Sequence, residues 1–209
     1  MSIVKTKVGR RAFLKTSVAA GGGLMISFSW LASCTPGQTK EEVLAMPKEW
    51  FELNAYLKIG ENGRITINVP NPEFGQNIKT SMPMIVAEEL DVEWKQVIAE
   101  QADFDKSRFD RQFTGGSQGI RRAWNNLRMA GATGRRMLLD AAAEEWNVPL
   151  EEITTNKGVL VHTGSGKSAS YGQFAAAAAR RETPTQVPLK SVSNFDIIGT
   201  SKKNLDGKD

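Results

Sequence analysis

One cysteine and one histidine in 209 residues leave little room for metal or nucleophile chemistry. A solitary thiol, Cys34, makes no internal disulfide and no thiolate cluster. With His162 as the only imidazole there is no donor set for zinc or for an iron–sulfur centre. A serine–histidine–carboxylate triad would have to use His162, and that residue reads as structural, at the end of a strand. The run Gly164, Ser165, Gly166, Lys167, Ser168 lacks the earlier glycine of a phosphate-binding loop, because Val161 stands there, so it reads as a connector. Long apolar runs are also missing. A membrane helix needs roughly 20 uninterrupted apolar residues, and the stretch 16–32 is broken by Gly21, Gly22 and Gly23.

Acidic residues are absent before Cys34, while Lys5, Lys7, Arg10, Arg11 and Lys15 all fall there. The formal charge of +4 is therefore misplaced for nucleic acid: without those residues, 22 basic side chains face 23 acidic ones. A near-neutral remainder has no broad electrostatic footprint for phosphates, so nucleic acid is excluded as a partner.

What the first 33 residues do contain reads as an address. Gly9, Arg10, Arg11, Ala12, Phe13, Leu14 and Lys15 resemble the twin-arginine export signal, recognised by the twin-arginine translocase, which carries folded proteins across the bacterial inner membrane. An ordinary secretory n-region is the competing reading of Arg10 and Arg11. Leu31, Ala32, Ser33 and Cys34 have the form of a lipobox, whose cysteine accepts a lipid, against a plain cleavage site or an uncleaved segment. The expected location is periplasmic or tethered to the membrane through Cys34.

Residues 34–53 read as a tether and 54–180 as one domain, followed by a linker over 181–209 that leads to a further domain. Alternation over 54–59 and 64–69 around Gly60 and Gly63 predicts a hairpin, half-buried at a sheet edge. Met82, Ile85, Val86 and Leu90 at helical spacing predict a helix over 80–90 that turns Glu88 and Glu89 outward. A strand over 92–99 and a charged loop over 101–112 come next. A long helix carries Ile120, Trp124, Leu127, Gly131 and Leu138 on one face and ends at Asn147 before Pro149. Its glycines, Gly131 and Gly134, are small enough for a close backbone approach, and they leave open whether the helix is split. A second hairpin, 153–155 with 159–162, leads to Ser170 and Gln173, a capping box before an alanine-rich helix. The class is α+β, hairpins with packed helices.

Two glycine turns stand before helices: Phe74, Gly75, Gln76, Asn77 and Thr114, Gly115, Gly116, Ser117. Backbone amides at a helix start, with an amide or hydroxyl side chain beside them, suit an oxyanion or a phosphate. The string Glu73 to Thr80, the segment Ile85, Val86, Ala87, Glu88, Glu89, Leu90, then Gly116, Ser117 and Ala141, Ala142, Ala143 resemble the xanthine dehydrogenase/aldehyde oxidase family of molybdenum hydroxylases. With the export signal, they resemble its isoquinoline 1-oxidoreductase-type large (beta) subunits.

The resemblance implies part of a molybdopterin-binding domain. Gly75 and Gln76 would lie against the molybdenum centre, and Gly116 and Ser117 would hold the pterin, as its cytosine dinucleotide form. Phe74 and Asn77 depart from the family's usual methionine and glycine. No position matches the glutamate base of the family, which belongs to a distant C-terminal part, so no catalytic residue and no metal ligand is assigned. The implied whole is an exported large subunit oxidising aldehydes or N-heterocycles with water, its electrons leaving through an iron–sulfur small subunit. This chain would be its N-terminal portion, inactive alone. A membrane-tethered binding domain without chemistry is the competing reading.

Overall fold

Asn54, where the first run of alternating residues begins, reverses the chain: its side-chain carbonyl accepts the Tyr56 N–H at 3.0 Å. In a computed structural model, which describes residues 45–205, the stretch expected as one strand, 54–59, therefore spans the end of β1 (Trp50–Asn54), a turn and most of β2 (Leu57–Gly60). Part of the expected tether thus belongs to the sheet. Strand β3 (Ile65–Val69) pairs antiparallel with β2, and β4 (Val97–Gln101) pairs parallel with β3, from Ile65 opposite Val97 to Val69 opposite Gln101. Parallel neighbours need a crossover, and helix α1 (Ile78–Leu90) supplies it.

The order β1-β2-β3-β4 makes β3 an interior strand and not an edge. All five of its residues are buried, Thr66 and Asn68 included, so the polar alternation does not mark a wet face. Asn68 instead donates to the Ala55 carbonyl at 2.9 Å. The expected strand at 92–99 begins later, because Trp94–Gln96 form a single helical turn whose capping box joins Glu93 and Gln96.

Helix α2 (Gly119–Trp146) runs unbroken for 28 residues and ends at Asn147, which adopts the left-handed conformation with φ 52°. Gly131 brings it against α1: a Cβ there would stand 2.3 Å from the Val86 carbonyl oxygen. The core fills the space between sheet and helices with Leu57, Ile59, Ile65, Met82, Leu127 and Leu138, all essentially inaccessible. A second sheet, β5 (Ile153–Asn156), β6 (Val159–His162) and β7 (Ser168–Ser170), adds a short strand to the expected hairpin. The expected capping box at Ser170 and Gln173 opens α3 (Tyr171–Ala178). Tyr171 is fully buried and its hydroxyl donates to the Leu90 carbonyl at 2.9 Å; burial first, then Asp91, pushes its phenol up. The architecture is α+β, two sheets with packed helices, as expected.

Glu88 and Glu89 do not face outward. They are 1% and 0% exposed, because the stretch expected to trail away as a linker folds back over α1. Glu88 accepts the backbone N–H groups of Asp196, Ile197 and Ile198 at 2.7–3.1 Å, and the Lys190 ammonium at 3.3 Å. Glu89 accepts Arg128 at 2.7 Å and the Lys190 N–H at 3.0 Å. Burial pushes the Glu88 carboxyl up, but the amides of Ile198, Ile197 and Asp196, with Lys190, more than offset it and hold it below the usual carboxylate range. Ile197, 5% exposed, joins the core. No helix among the described residues is long and apolar enough to cross a membrane.

Candidate functional site

The first glycine turn is closed by its own carboxylate. Glu73 Oε1 accepts the N–H groups of Gly75 at 2.6 Å and Asn77 at 3.1 Å, and Oε2 accepts that of Lys79 at 3.0 Å. Slight burial raises the Glu73 carboxyl, and the amides of Lys79, Gly75 and Asn77 outweigh this, so it stays ionised below the usual range. The amides at the start of α1, expected to be open to an oxyanion, are thus engaged by Glu73, a residue whose sidedness the motif string does not reveal. Gly75 has φ 103° and Asn77 φ 63°. Glycine tolerates the first at no steric cost, and asparagine tolerates the second better than most residues.

Gln76 is also engaged within the turn: its carbonyl accepts the Phe74 N–H at 2.8 Å and its Nε2 donates to the Pro72 carbonyl at 3.0 Å. An amide nitrogen carries two hydrogens, so one donor direction remains. A Cβ on Gly75 would meet nothing within 4 Å, so this side of the turn faces open space.

The second turn meets the first at the same carbonyl. Thr114 Oγ1 donates to Pro72 O at 2.9 Å, and Asn71 Nδ2 donates to Phe113 O at 2.8 Å. The structure therefore brings together the two segments that the sequence places some forty residues apart. Gly116 and Ser117 both take positive φ, 63° and 55°. Helix α2, which follows, has no side-chain cap and no acidic residue in its first turn. Arg121 and Arg122, both exposed, stand in that turn, where the positive end of the helix dipole disfavours cations and favours an anion.

A cleft of about 330 Å³ lies against the start of α2, lined by Asn71, Asp110, Arg111, Gly119, Arg122 and Asn126 among others. The Arg111 guanidinium lies 5.0 Å from the centre of the Phe113 ring, and its Nε is buried without a hydrogen-bond partner. Tyr56 borders the cleft, its phenol pushed up by burial and by Asp110. The exposed Phe74 and Phe113 rings flank the joined turns.

His162 lies elsewhere, at the end of β6. Its Nδ1 accepts the Ser165 N–H at 3.2 Å, so the proton is assigned to Nε2, which donates to Glu152 at 2.8 Å. This clasp holds the connector 163–167, in keeping with a structural histidine. Arg10, Arg11 and Cys34 lie outside the described residues. Among the described residues no group of histidine, cysteine and carboxylate could hold a metal ion.

The described residues thus form an α+β unit in which two glycine turns at helix starts meet at the Pro72 carbonyl. A family model described as a molybdopterin cofactor-binding domain matches residues 17–208, and the chain belongs to that family. It is 36% identical over 129 residues to the isoquinoline 1-oxidoreductase subunit beta of Brevundimonas diminuta, covering 59% of this chain and 16% of that one. It is 28% identical over 209 residues to a membrane-bound aldehyde dehydrogenase [pyrroloquinoline-quinone] of Gluconacetobacter polyoxogenes, covering 97% of this chain and 26% of that one. The chain thus spans about a quarter or less of the length of these relatives. Among solved structures, quinoline 2-oxidoreductase from Pseudomonas putida 86 is similar at 19% identity and TM-score 0.46, over 60% of this chain and 16% of that one.

Proposed function

We propose that this chain is the N-terminal portion of the large subunit of an exported molybdenum hydroxylase, and that the joined turns at Pro72 form one wall of its cofactor site. The observation that carries the reading is the meeting of the two glycine turns at the Pro72 carbonyl, which accepts from Gln76 and Thr114, in a chain of the molybdopterin-binding family. The residues fit the group unequally. The start of α1 is neutralised by Glu73, so it suits the approach of a neutral or oxo face, with Gly75 leaving room and Gln76 Nε2 offering its second hydrogen. The start of α2, uncapped and flanked by Arg121 and Arg122, suits the phosphates of a pterin cytosine dinucleotide.

Such a cofactor, when bound, supplies two-electron oxidation with water as the oxygen source. This chain's residues bind and orient it. The base that activates the reacting water and the iron–sulfur subunit that takes the electrons lie outside the chain. Aldehydes or N-heterocycles are the substrate class that the names of the similar proteins support. Export by the twin-arginine translocase, from Arg10 and Arg11, suits a subunit folded around its cofactor in the cytoplasm; acylation of Cys34 would tether it in the periplasm. The expected tether, 34–53, would then end before residues 45–49, which are hydrogen-bonded to Glu61 and Asn62.

The test is to purify the native subunit that contains this chain and quantify molybdenum and the cytosine nucleotide released by acid. Near-stoichiometric amounts of both are expected, with no hydroxylase turnover from the 209-residue chain alone. Pyrroloquinoline quinone in place of molybdenum, or neither cofactor, would overturn the reading. Molybdenum-dependent turnover by the isolated chain would overturn its status as a non-catalytic portion.

A further inference from the structure

Residues 190–205 form a strap that runs along α1 from its C-terminal end to its N-terminal end. Lys190 and the amides of residues 196–198 fasten it at Glu88 and Glu89. The Trp94 indole donates to Lys203 O at 2.9 Å. At the far end Asn204 makes two directional bonds: its Nδ2 donates to Asn77 Oδ1 at 2.7 Å, and its Oδ1 accepts from Thr80 Oγ1 at 2.6 Å. The Leu205 N–H donates to the same threonine oxygen at 3.1 Å. Thr80 is only 8% exposed, which fixes the geometry of this cluster.

Asn77 is the residue after Gln76, and it holds a left-handed conformation that an L side chain adopts at some cost. Asn204 grips the side chain of that residue. We propose that Asn204 is a positioning residue for the Gly75–Gln76 turn, holding Asn77 left-handed and so making the shape of the cofactor wall depend on the strap. Asparagine at position 77 is then more than a tolerated substitute for glycine: its side chain is the point at which the strap takes hold. The proposal deepens the functional reading above, since the turn matters to chemistry only if it meets the cofactor.

The test uses hydrogen exchange in the full 209-residue chain without cofactor, so its outcome does not depend on that reading. Asn204→Ala is expected to speed exchange of the Gly75, Asn77 and Lys79 amides about fivefold, the size of one lost neutral hydrogen bond. Amides of the β5–β6 hairpin should be unchanged. In an Asn77→Gly background, where the left-handed conformation needs no support, the same substitution should leave the turn amides within about twofold. Asn204→Leu, close in volume to asparagine, removes the donor to Asn77 and the acceptor for Thr80, and it gives the same readout should the alanine variant not fold. Unchanged turn amides, a uniform rise across both regions, or an equal rise in the Asn77→Gly background would each overturn the proposal. If the local coupling appears and the native subunit holds no molybdopterin, the functional reading fails and the positioning role stands.

Discussion

The two ends of α1 are each held by a glutamate that gathers backbone amides, and they differ in whose amides those are. Glu73 takes amides from within six residues of itself, on a partly exposed turn. Glu88 takes amides from more than a hundred residues away and is buried while doing so. A local, hydrated carboxylate sets the shape of one turn, whereas a buried, long-range one decides whether two parts of the chain stay together. The same chemical device thus serves a surface that has to present a shape at one end, and a joint that has to hold at the other.

Substitution at the buried end gives the largest expected effect. Glu88→Ala leaves three amides without their acceptor and the Lys190 ammonium with Asp91 alone, and removing one partner of a buried charged pair costs about 3–5 kcal/mol. Urea unfolding of the variant should show this loss; a change below about 1 kcal/mol, within the range of exposed pairs, would mean that the two ends do not differ. Gly131→Ala comes next. Alanine is favoured over glycine in a helix interior by about 1 kcal/mol, yet its methyl would meet the Val86 carbonyl at 2.3 Å, a backbone atom that no rotamer change can move away. Overpacking of about 1–3 kcal/mol outweighs propensity, so the variant should be destabilised, and a raised Tm would show that the helices separate freely.

Acid sharpens the comparison without a mutation. Both carboxyls lie below their ordinary value of 4.5 in the folded protein. A depressed folded pKa contributes stability that is present above the unfolded value and lost as pH falls through the folded one. The Tm should therefore drop steeply on acidification below about pH 4.5, and Glu88→Gln should flatten that drop more than Glu73→Gln does. Equal slopes for the two variants would contradict the assignment of the stronger coupling to the buried end.

Much of the fold is legible in the sequence because it rests on local signals: helical spacing in α1 and α2, Asn147 before Val148 and Pro149, Ser170 with Gln173. The misread parts depend on what covers them. Thr66 and Asn68 alternate like an edge strand, and only the parallel pairing of β4 shows that both are interior. Glu88 lies off the apolar stripe of α1, and the strap that covers it is built from residues with no periodicity of their own; Glu89, four residues after Ile85 and three after Val86, stands on the stripe itself. At the candidate site the two turns could be singled out from their glycines, but their meeting at the Pro72 carbonyl is tertiary and leaves no mark in spacing. Glu73 was in plain view within the motif. Its reach over residues 75, 77 and 79 follows from the positive φ of Gly75 and Asn77, which composition suggests and only geometry establishes.

The smallest effect is expected at the exposed end, and there the sign of the local change matters more than its size. Glu73→Ala removes the acceptor for three amides at the start of α1, two of them exposed and that of Lys79 partly buried, so the loss should resemble that of a helix cap, about 1 kcal/mol. Global unfolding should scarcely register it. Exchange of the Gly75, Asn77 and Lys79 amides should rise while those of residues 196–198 do not, the reverse of the pattern in Glu88→Ala under conditions where that variant remains folded. The variant also uncovers a helix start with no acidic residue in its first turn, so phosphate should slow the exchange of those amides in Glu73→Ala and leave them unaffected in the parent chain. If phosphate protected the parent's turn equally, Glu73 would not be filling the anion position, and the distinction drawn between the two glycine turns would collapse.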